Sequence, residues 1–336
     1  MEAPPKRARA TPERRVTFIG APFAEGQDLD GCDLAPTAIR DAGLQPALEK
    51  LGWDVHDAGD IDLSSTTPRL RAPPPSPPSK DIPNCAHIGA QLKLVHDAVA
   101  AAAAAGRVAL TVGGDHSIAA ASIAALQRAH PNLAVIWVDA HADANTPATS
   151  PSMHYHGMPA AHVMGWMAGD PLPGFDWFPS AGSLDEARLA YVGLRDVDDE
   201  EGRRLRASQC HVWTMRDVDR LGIAGAIERA VRAVDPHGVR PLHLSLDIDA
   251  VDPHFAPGTG TCARGGLTYR EAHYICEELA LTDRLVGLDL VEVNPLLDGP
   301  PAAARMHGDD PSVKPCSPTV ELAVGLALSA LGKRIM

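Results

Sequence analysis

Short, continuous apolar runs alternate along the chain with longer segments whose apolar residues recur at helical intervals. The runs at 15–20, 53–58, 108–112, 135–138, 189–194, 241–246 and 284–291 read as strands. Most are apolar throughout, as expected of strands buried on both faces of a parallel sheet. Between them, Ile39, Leu44, Leu48 and Leu51 predict a helix over 35–51, and Ile88, Leu92, Val95 and Val99 predict another that stops at Gly106. Residues 118–130, closed by Pro131, and the amphipathic 223–234 are further helices. Thr268-x-x-Glu271 is a capping box opening a helix that runs to Leu281, and Ser317 followed by Pro318 opens the last one. Strands alternate with helices, with no internal repeat and no second core. That pattern predicts one three-layer α/β/α domain around a mostly parallel sheet.

Composition narrows the class. At 336 residues and 45% hydrophobic, the chain can bury a large core. A formal net charge of −13 argues against nucleic acid or an anionic membrane as partner and mildly favours a small cationic substrate. Six cysteines (Cys32, Cys85, Cys210, Cys262, Cys276 and Cys316) form no C-x-x-C pair, the pattern of reduced thiols in a cytoplasmic enzyme. No apolar stretch approaches the roughly 20 residues that span a bilayer. The first 15 residues carry five basic and two acidic side chains, a local charge of +3. Residues 1–14 are therefore expected to be a disordered basic tail ahead of a catalytic domain over 15–334. Residues 63–80 are proline-rich and poor in apolar side chains, an irregular excursion within that domain.

The candidate chemistry lies where strands end, which is where open α/β sheets bind their ligands. After the apolar run through Val138 come Asp139, His141 and Asp143 at two-residue spacing. In an extended chain these three side chains share one face. Two carboxylates and an imidazole leaving a buried strand need compensation, and a divalent cation supplies it. His116 follows the strand at 108–112, and Asp247 and Asp249 follow the strand at 241–246. Four carboxylates and two imidazoles are too much charge for one ion and suit two. Mixed O/N ligands point to Mn²⁺ among the first-row metals, and two such ions ~3.5–4 Å apart activate a water for hydrolysis. No cysteine falls among these residues, which argues against structural zinc. No phosphate-binding loop and no Gly-x-Ser-x-Gly elbow is present.

Gly113-Gly114-Asp115-His116-Ser117, Asp139-Ala-His-Ala-Asp143 and Ser245-Leu-Asp-Ile-Asp-Ala-Val-Asp-Pro253 resemble the three metal motifs of the ureohydrolase (arginase/agmatinase) family. Asn145-Thr-Pro, His156-Gly157, Arg195-Asp-Val-Asp198 and Glu292-Val-Asn-Pro295 resemble its arginase branch. The resemblance runs from about Val16 to the C-terminal helix. It implies two manganese ions per subunit, with Asp139 and Asp247 bridging, His116 and Asp143 completing one ion, and His141 and Asp249 the other. It implies attack of a bridging hydroxide, oriented by Asp143, on the guanidinium carbon of L-arginine, giving urea and L-ornithine. Glu292 would pair with the guanidinium, a planar fork suited to carboxylate, and His156 would pass a proton to the leaving amine. Asn145, Ser152, Asp198, Glu201 and Thr261 would contact the amino-acid end. The resemblance further implies a homotrimer. His154 stands two residues from His156, and the sequence does not decide which faces the site. Met153 and His154 depart from the family's usual Gly-Asn pair, which keeps a related guanidino-compound hydrolase of agmatinase-like specificity as the alternative, ahead of a catalytically idle regulatory homologue.

Overall fold

A computed structural model describes residues 14–63, 81–169, 172–299 and 316–334. The expectations for the basic tail and for the proline-rich excursion fall almost wholly outside these residues. The chain builds β1 (Arg15–Ala21), α1 (Ala35–Asp41), α2 (Leu44–Lys50), β2 (Asp54–Asp60), α3 (Cys85–Ala104), β3 (Val108–Gly113), α4 (Ile118–Ala129), β4 (Ala134–Val138) and α5 (Pro159–Val163). It continues with β5 (Leu189–Leu194), α6 (Asp199–Ala207), β6 (His211–Thr214), α7 (Met215–Val234), β7 (Leu242–Asp247), α8 (Tyr269–Leu281), β8 (Leu285–Val291) and α9 (Pro318–Ala330). The strands form one sheet in the order β2-β1-β3-β8-β7-β4-β5-β6, every adjacent pair parallel.

Alternation of side chains explains why the inner strands are apolar throughout. On β4, Ala134, Ile136 and Val138 pack into the layer of α1, α2, α7, α8 and α9, whereas Val135 and Trp137 pack against α3, α4 and α5. Each fully buried Val or Ile side chain among them contributes roughly 1.5–3 kcal/mol. α9 is buried along almost its whole length, which matches its largely apolar sequence. The edge strands differ: β2 alternates exposed and half-buried residues, and β6 is four half-buried residues. Among the described residues no helix is long and apolar enough to cross a membrane.

Two helices depart from the sequence reading. The predicted 35–51 helix is two, α1 and α2, because Gly43 takes a positive φ of 85°. The helix expected to start at 223 begins at Met215, beneath a Thr214–Asp217 capping box, and is kinked at Gly222, φ 68°. The apolar pattern is in phase only beyond that kink. β6, α5 and α6 have no apolar signature strong enough to read.

The parallel register decides where the strand ends meet. Val138 pairs with Leu246, Leu246 with Leu290, and Val112 with Leu290, while Asp247 pairs with Val291. The residues that follow β3, β4, β7 and β8 therefore emerge side by side. The β3 exit is further pinned to the β1 exit by Gly114 N–H on Ala21 O (3.0 Å) and Asp115 N–H on Phe23 O (2.9 Å). A Cβ on Gly114 would lie 1.4 Å from Phe23 O, and that atom is main chain. We expect Gly114→Ala to destabilise the fold by at least ~3 kcal/mol, the upper range of overpacking. The urea unfolding midpoint measures it, and a midpoint unchanged from wild type would contradict the close approach.

Candidate metal centre and pocket

Asp139 is the first residue beyond β4, and one of its oxygens accepts the backbone N–H of His141 at 2.7 Å. β7 repeats the device, with Asp247 accepting from the N–H of Asp249 at 2.8 Å. Each i, i+2 pair is thus made by a side-chain-to-backbone turn. This corrects the expectation that Asp139, His141 and Asp143 share a face of extended chain. The strand has ended by Val138, and Asp143 is left-handed, φ 49°, its carbonyl accepting Ala160 N–H at 2.9 Å.

His116 arrives from the loop between β3 and α4. Its Nε2 lies 2.8 Å from Ser245 Oγ, and its ring stacks on Trp137 with centroids 4.3 Å apart. That orientation aims Nδ1 at Asp139 (3.1 Å), Asp143 (2.9 Å) and Asp247 (3.1 Å). On the other side, His141 Nδ1 lies 3.1 Å from Asp249 and 3.5 Å from Asp139. Two groups of potential ligand atoms result: His116, Asp139, Asp143 and Asp247, and then Asp139, His141 and Asp249. Asp139 belongs to both, and Asp247 to the first alone.

All four carboxylates are buried. Burial, reinforced by Asp249 and Asp139, pushes the Asp247 carboxyl well above its ordinary range. Burial and then Asp139 raise Asp143 to about 6. Asp139 goes the other way, because His116 and His141 outweigh its burial. Burial opposes charge on His116, but its three carboxylates hold the imidazole well above its usual range. His116 Nδ1 nevertheless has no hydrogen-bond partner. A buried ring nitrogen set against three carboxylates makes a site where a bound cation can take the place of the proton. The nitrogen and oxygen donors, without sulfur, fit a divalent metal.

Above these groups lies a cavity of about 230 Å³. It falls below the roughly 300–1,000 Å³ of drug-sized sites and suits a small metabolite. Ten of the candidate residues line it: His141, Asp143, Asn145, Ser152, His156, Asp198, Glu201, Asp247, Thr261 and Glu292. At one end Glu292, itself left-handed (φ 61°), accepts His116 N–H at 2.9 Å and faces His156 Nδ1 at 2.9 Å. Burial opposes ionisation of both. The partnership wins, holding Glu292 below the usual carboxylate range and raising His156 to about 9. His154 turns away, its Nε2 3.1 Å from Asp28.

At the other end Asn145 donates to Asp198 at 2.9 Å and accepts from Thr149 at 2.9 Å. Asp198 caps α6, in a capping box with Glu201. Glu201, in the first turn, accepts Ala144 N–H at 2.7 Å, and burial raises its carboxyl to about 8. Ser152 Oγ accepts His154 N–H, and the Thr261 hydroxyl donates to Asp249 at 2.9 Å.

Sequence reasoning passed over several residues that hold this site. Trp137 Nε1 donates to Asp139 at 2.9 Å, and Ser245 engages His116. Both stand two residues before a candidate ligand, so the same period carried back along the strand would have found them. Ser150 and Asp196 also line the cavity. Arg195 donates to the carbonyls of Asp249 (2.6 Å), Ala250 (3.1 Å) and Ala263 (2.7 Å), tying the β5 exit to the loop that carries Thr261.

Comparison with known proteins gives this arrangement its context. The family model described as the arginase family matches residues 14–329. This chain belongs to the arginase family. It is 39% identical to the arginase of Schizosaccharomyces pombe over 328 residues, 96% of this chain and 93% of that protein. The solved arginase of Bacillus caldovelox superposes with a TM-score of 0.81 at 33% identity, covering 96% of this chain and all of the other (100%). The arginase of Entamoeba histolytica, solved in complex with L-ornithine, superposes with a TM-score of 0.76 at 26% identity, covering 95% and 99%. Membership makes the chain a hydrolase of the arginase type, and the buried His/Asp cluster has the donors to hold a metal.

Because the cluster is so charged, bound metal should stabilise the fold. Divalent metal at about a hundredfold over its Kd adds ~2.7 kcal/mol. Asp247→Asn should lower the metal retained per chain by at least one equivalent. Elemental analysis after gel filtration checks this, and full occupancy in the variant would remove Asp247 from the ligand set.

Proposed function

We propose that this chain hydrolyses L-arginine to L-ornithine and urea at a centre of two manganese ions. The observation that carries the reading is the buried Glu292 facing His156 Nδ1 at 2.9 Å in a cavity floored by the His/Asp cluster. The family relatives named arginase support it. His116, Asp139, Asp143 and Asp247 would hold one ion, and Asp139, His141 and Asp249 the other, with Asp247 as second bridge. Four carboxylates carry a formal charge of −4, which two divalent cations cancel and one does not. The bound metal supplies a water nucleophile at neutral pH and Lewis acidity.

The chain's own groups do the rest. Glu292 is anionic and already desolvated, so a guanidinium entering the cavity meets a carboxylate with little reorganisation. Asp143 would orient the attacking water towards the guanidinium carbon and take up the proton it gives up. His156, raised to about 9, is protonated at neutral pH and donates to the nitrogen that leaves as the ornithine side-chain amine. Asn145, Ser152, Asp198 and Glu201 line the cavity and are assigned to the α-carboxylate and α-ammonium. Ser150, on the loop of Asn145 and Ser152, joins them. Thr261 is assigned to the amino-acid end as well, and its hydroxyl supports Asp249. The resemblance also supports a homotrimer acting in the cytoplasm, which sedimentation of the purified enzyme and imaging of the tagged chain test.

Urea release from arginine, agmatine and guanidinobutyrate, with and without added Mn²⁺, tests the function directly. Arginine should be strongly preferred, and a preference for agmatine would overturn the arginine assignment. His156→Asn should lower kcat by ~10²–10⁴ with metal content intact. If His154→Asn is the damaging change instead, the proton donor is misassigned. Asp198→Ala should narrow the gap between arginine and agmatine roughly tenfold to a hundredfold, the loss of one charge-assisted contact of ~1.5–3 kcal/mol. Equal losses on both substrates would place Asp198 outside α-ammonium recognition.

A further inference from the structure

Tyr155 precedes His156 in the turn Tyr155–Gly157, but its ring points the other way and is fully buried. Its hydroxyl lies 2.7 Å from Nδ1 of His162 on α5, and the rings meet edge-on at 87°, centroids 6.0 Å apart. Phe175 packs on both rings, at 5.1 Å from Tyr155 and 4.9 Å from His162, and Phe178 lies 4.0 Å from His162. A phenol and an imidazole buried among phenyl rings each cost ~1–3 kcal/mol if left unsatisfied. Here each satisfies the other. Burial pushes His162 down to about 4, so the ring stays neutral and the hydrogen bond persists at neutral pH.

What the pair joins gives it a consequence for the reaction. The turn carries His156, whose Nδ1 faces Glu292. α5 braces the metal site from the other side, since the N–H groups of Ala160 and Ala161 bind the Asp143 carbonyl at 2.9 and 3.4 Å. The turn is otherwise tied by main-chain bonds, His156 N–H to Gly26 O (3.2 Å) and Asn145 N–H to Gly157 O (3.1 Å). Tyr155 anchors the turn to α5 through a side chain. We propose that the Tyr155–His162 hydrogen bond is a positioning device that fixes the turn so that His156 addresses Glu292 and the reacting nitrogen. The mechanistic part rests on the reading of His156 as proton donor.

Tyr155→Phe removes only the hydroxyl. With metal content unchanged and KM within about twofold, kcat should fall roughly tenfold to a hundredfold, the scale of an ångström of misplacement at a reacting group. His162→Asn, which keeps an acceptor near the position of Nδ1, should retain most of kcat. The double variant Tyr155→Phe/His162→Leu leaves no unsatisfied polar group, so it should regain thermal stability without regaining kcat. Recovery of kcat together with stability would overturn the proposal, because the pair would then only pack. A second readout does not depend on turnover. The imidazole ¹⁵N signals of His156, assigned through His156→Asn, should shift or broaden in Tyr155→Phe, and unchanged signals would overturn the proposal too. If the wild-type enzyme releases no urea from arginine, the functional reading fails, while the imidazole signals still decide the positioning role.

Discussion

Four carboxylates buried within hydrogen-bonding distance of two imidazoles are the constraint on which the rest of this structure depends. Like charges at that spacing in a low-dielectric interior repel one another strongly. Burial and that repulsion drive Asp247 up, whereas the imidazoles of His116 and His141 hold Asp139 down. The cluster persists because the surrounding scaffold is stiff and because its donors are aimed. Trp137, Ser245 and the N–H groups of His141 and Asp249 each hold one member of the set in place. A parallel sheet buried on both faces provides the stiffness, and its register brings four strand ends to one point.

Environment assigns different work to residues of one type. His116 is enclosed by carboxylates and held well above its usual range, whereas His162, among phenyl rings, is pushed down to about 4. His156 lies between these extremes, raised to about 9 by Glu292 against its own burial. The ligand, the neutral brace and the proton donor proposed here are one side chain placed among different charges and at different degrees of desolvation. His154, with Asp28 as its partner at the surface, takes none of these roles.

The site is also built at the expense of backbone comfort. Asp143 and Glu292 adopt left-handed conformations that non-glycine residues rarely take. Each is held by main-chain bonds, from Ala160 to the Asp143 carbonyl and from the Glu292 N–H to Gly114 O at 2.8 Å. The strain lies where side chains must turn from the line of their strand into the cavity. Gly114 is part of the same economy of space, since only a residue without a Cβ lets the β1 and β3 exits touch.

The apolar runs by themselves determined the parallel α/β/α architecture, because strands buried on both faces must be apolar at every position. The strand-end Asp and His residues, through their spacing and their family motifs, named the candidate ligands His116, Asp139, His141, Asp143, Asp247 and Asp249. The edge strand β6, the short α5, and the breaks at Gly43 and Gly222 were not legible, since each depends on packing partners or on a backbone angle rather than on periodicity. Nor did alternation bring Asp143 to its place: a left-handed residue and two side-chain-to-backbone turns did. The choice of His156 over His154, the pairing of Glu292 with it, and the Tyr155–His162 bond were decided only in three dimensions. Each joins positions that sequence distance leaves independent, and only folding supplies the desolvation and neighbouring charge that make an ordinary side chain into a ligand, an acid or a brace.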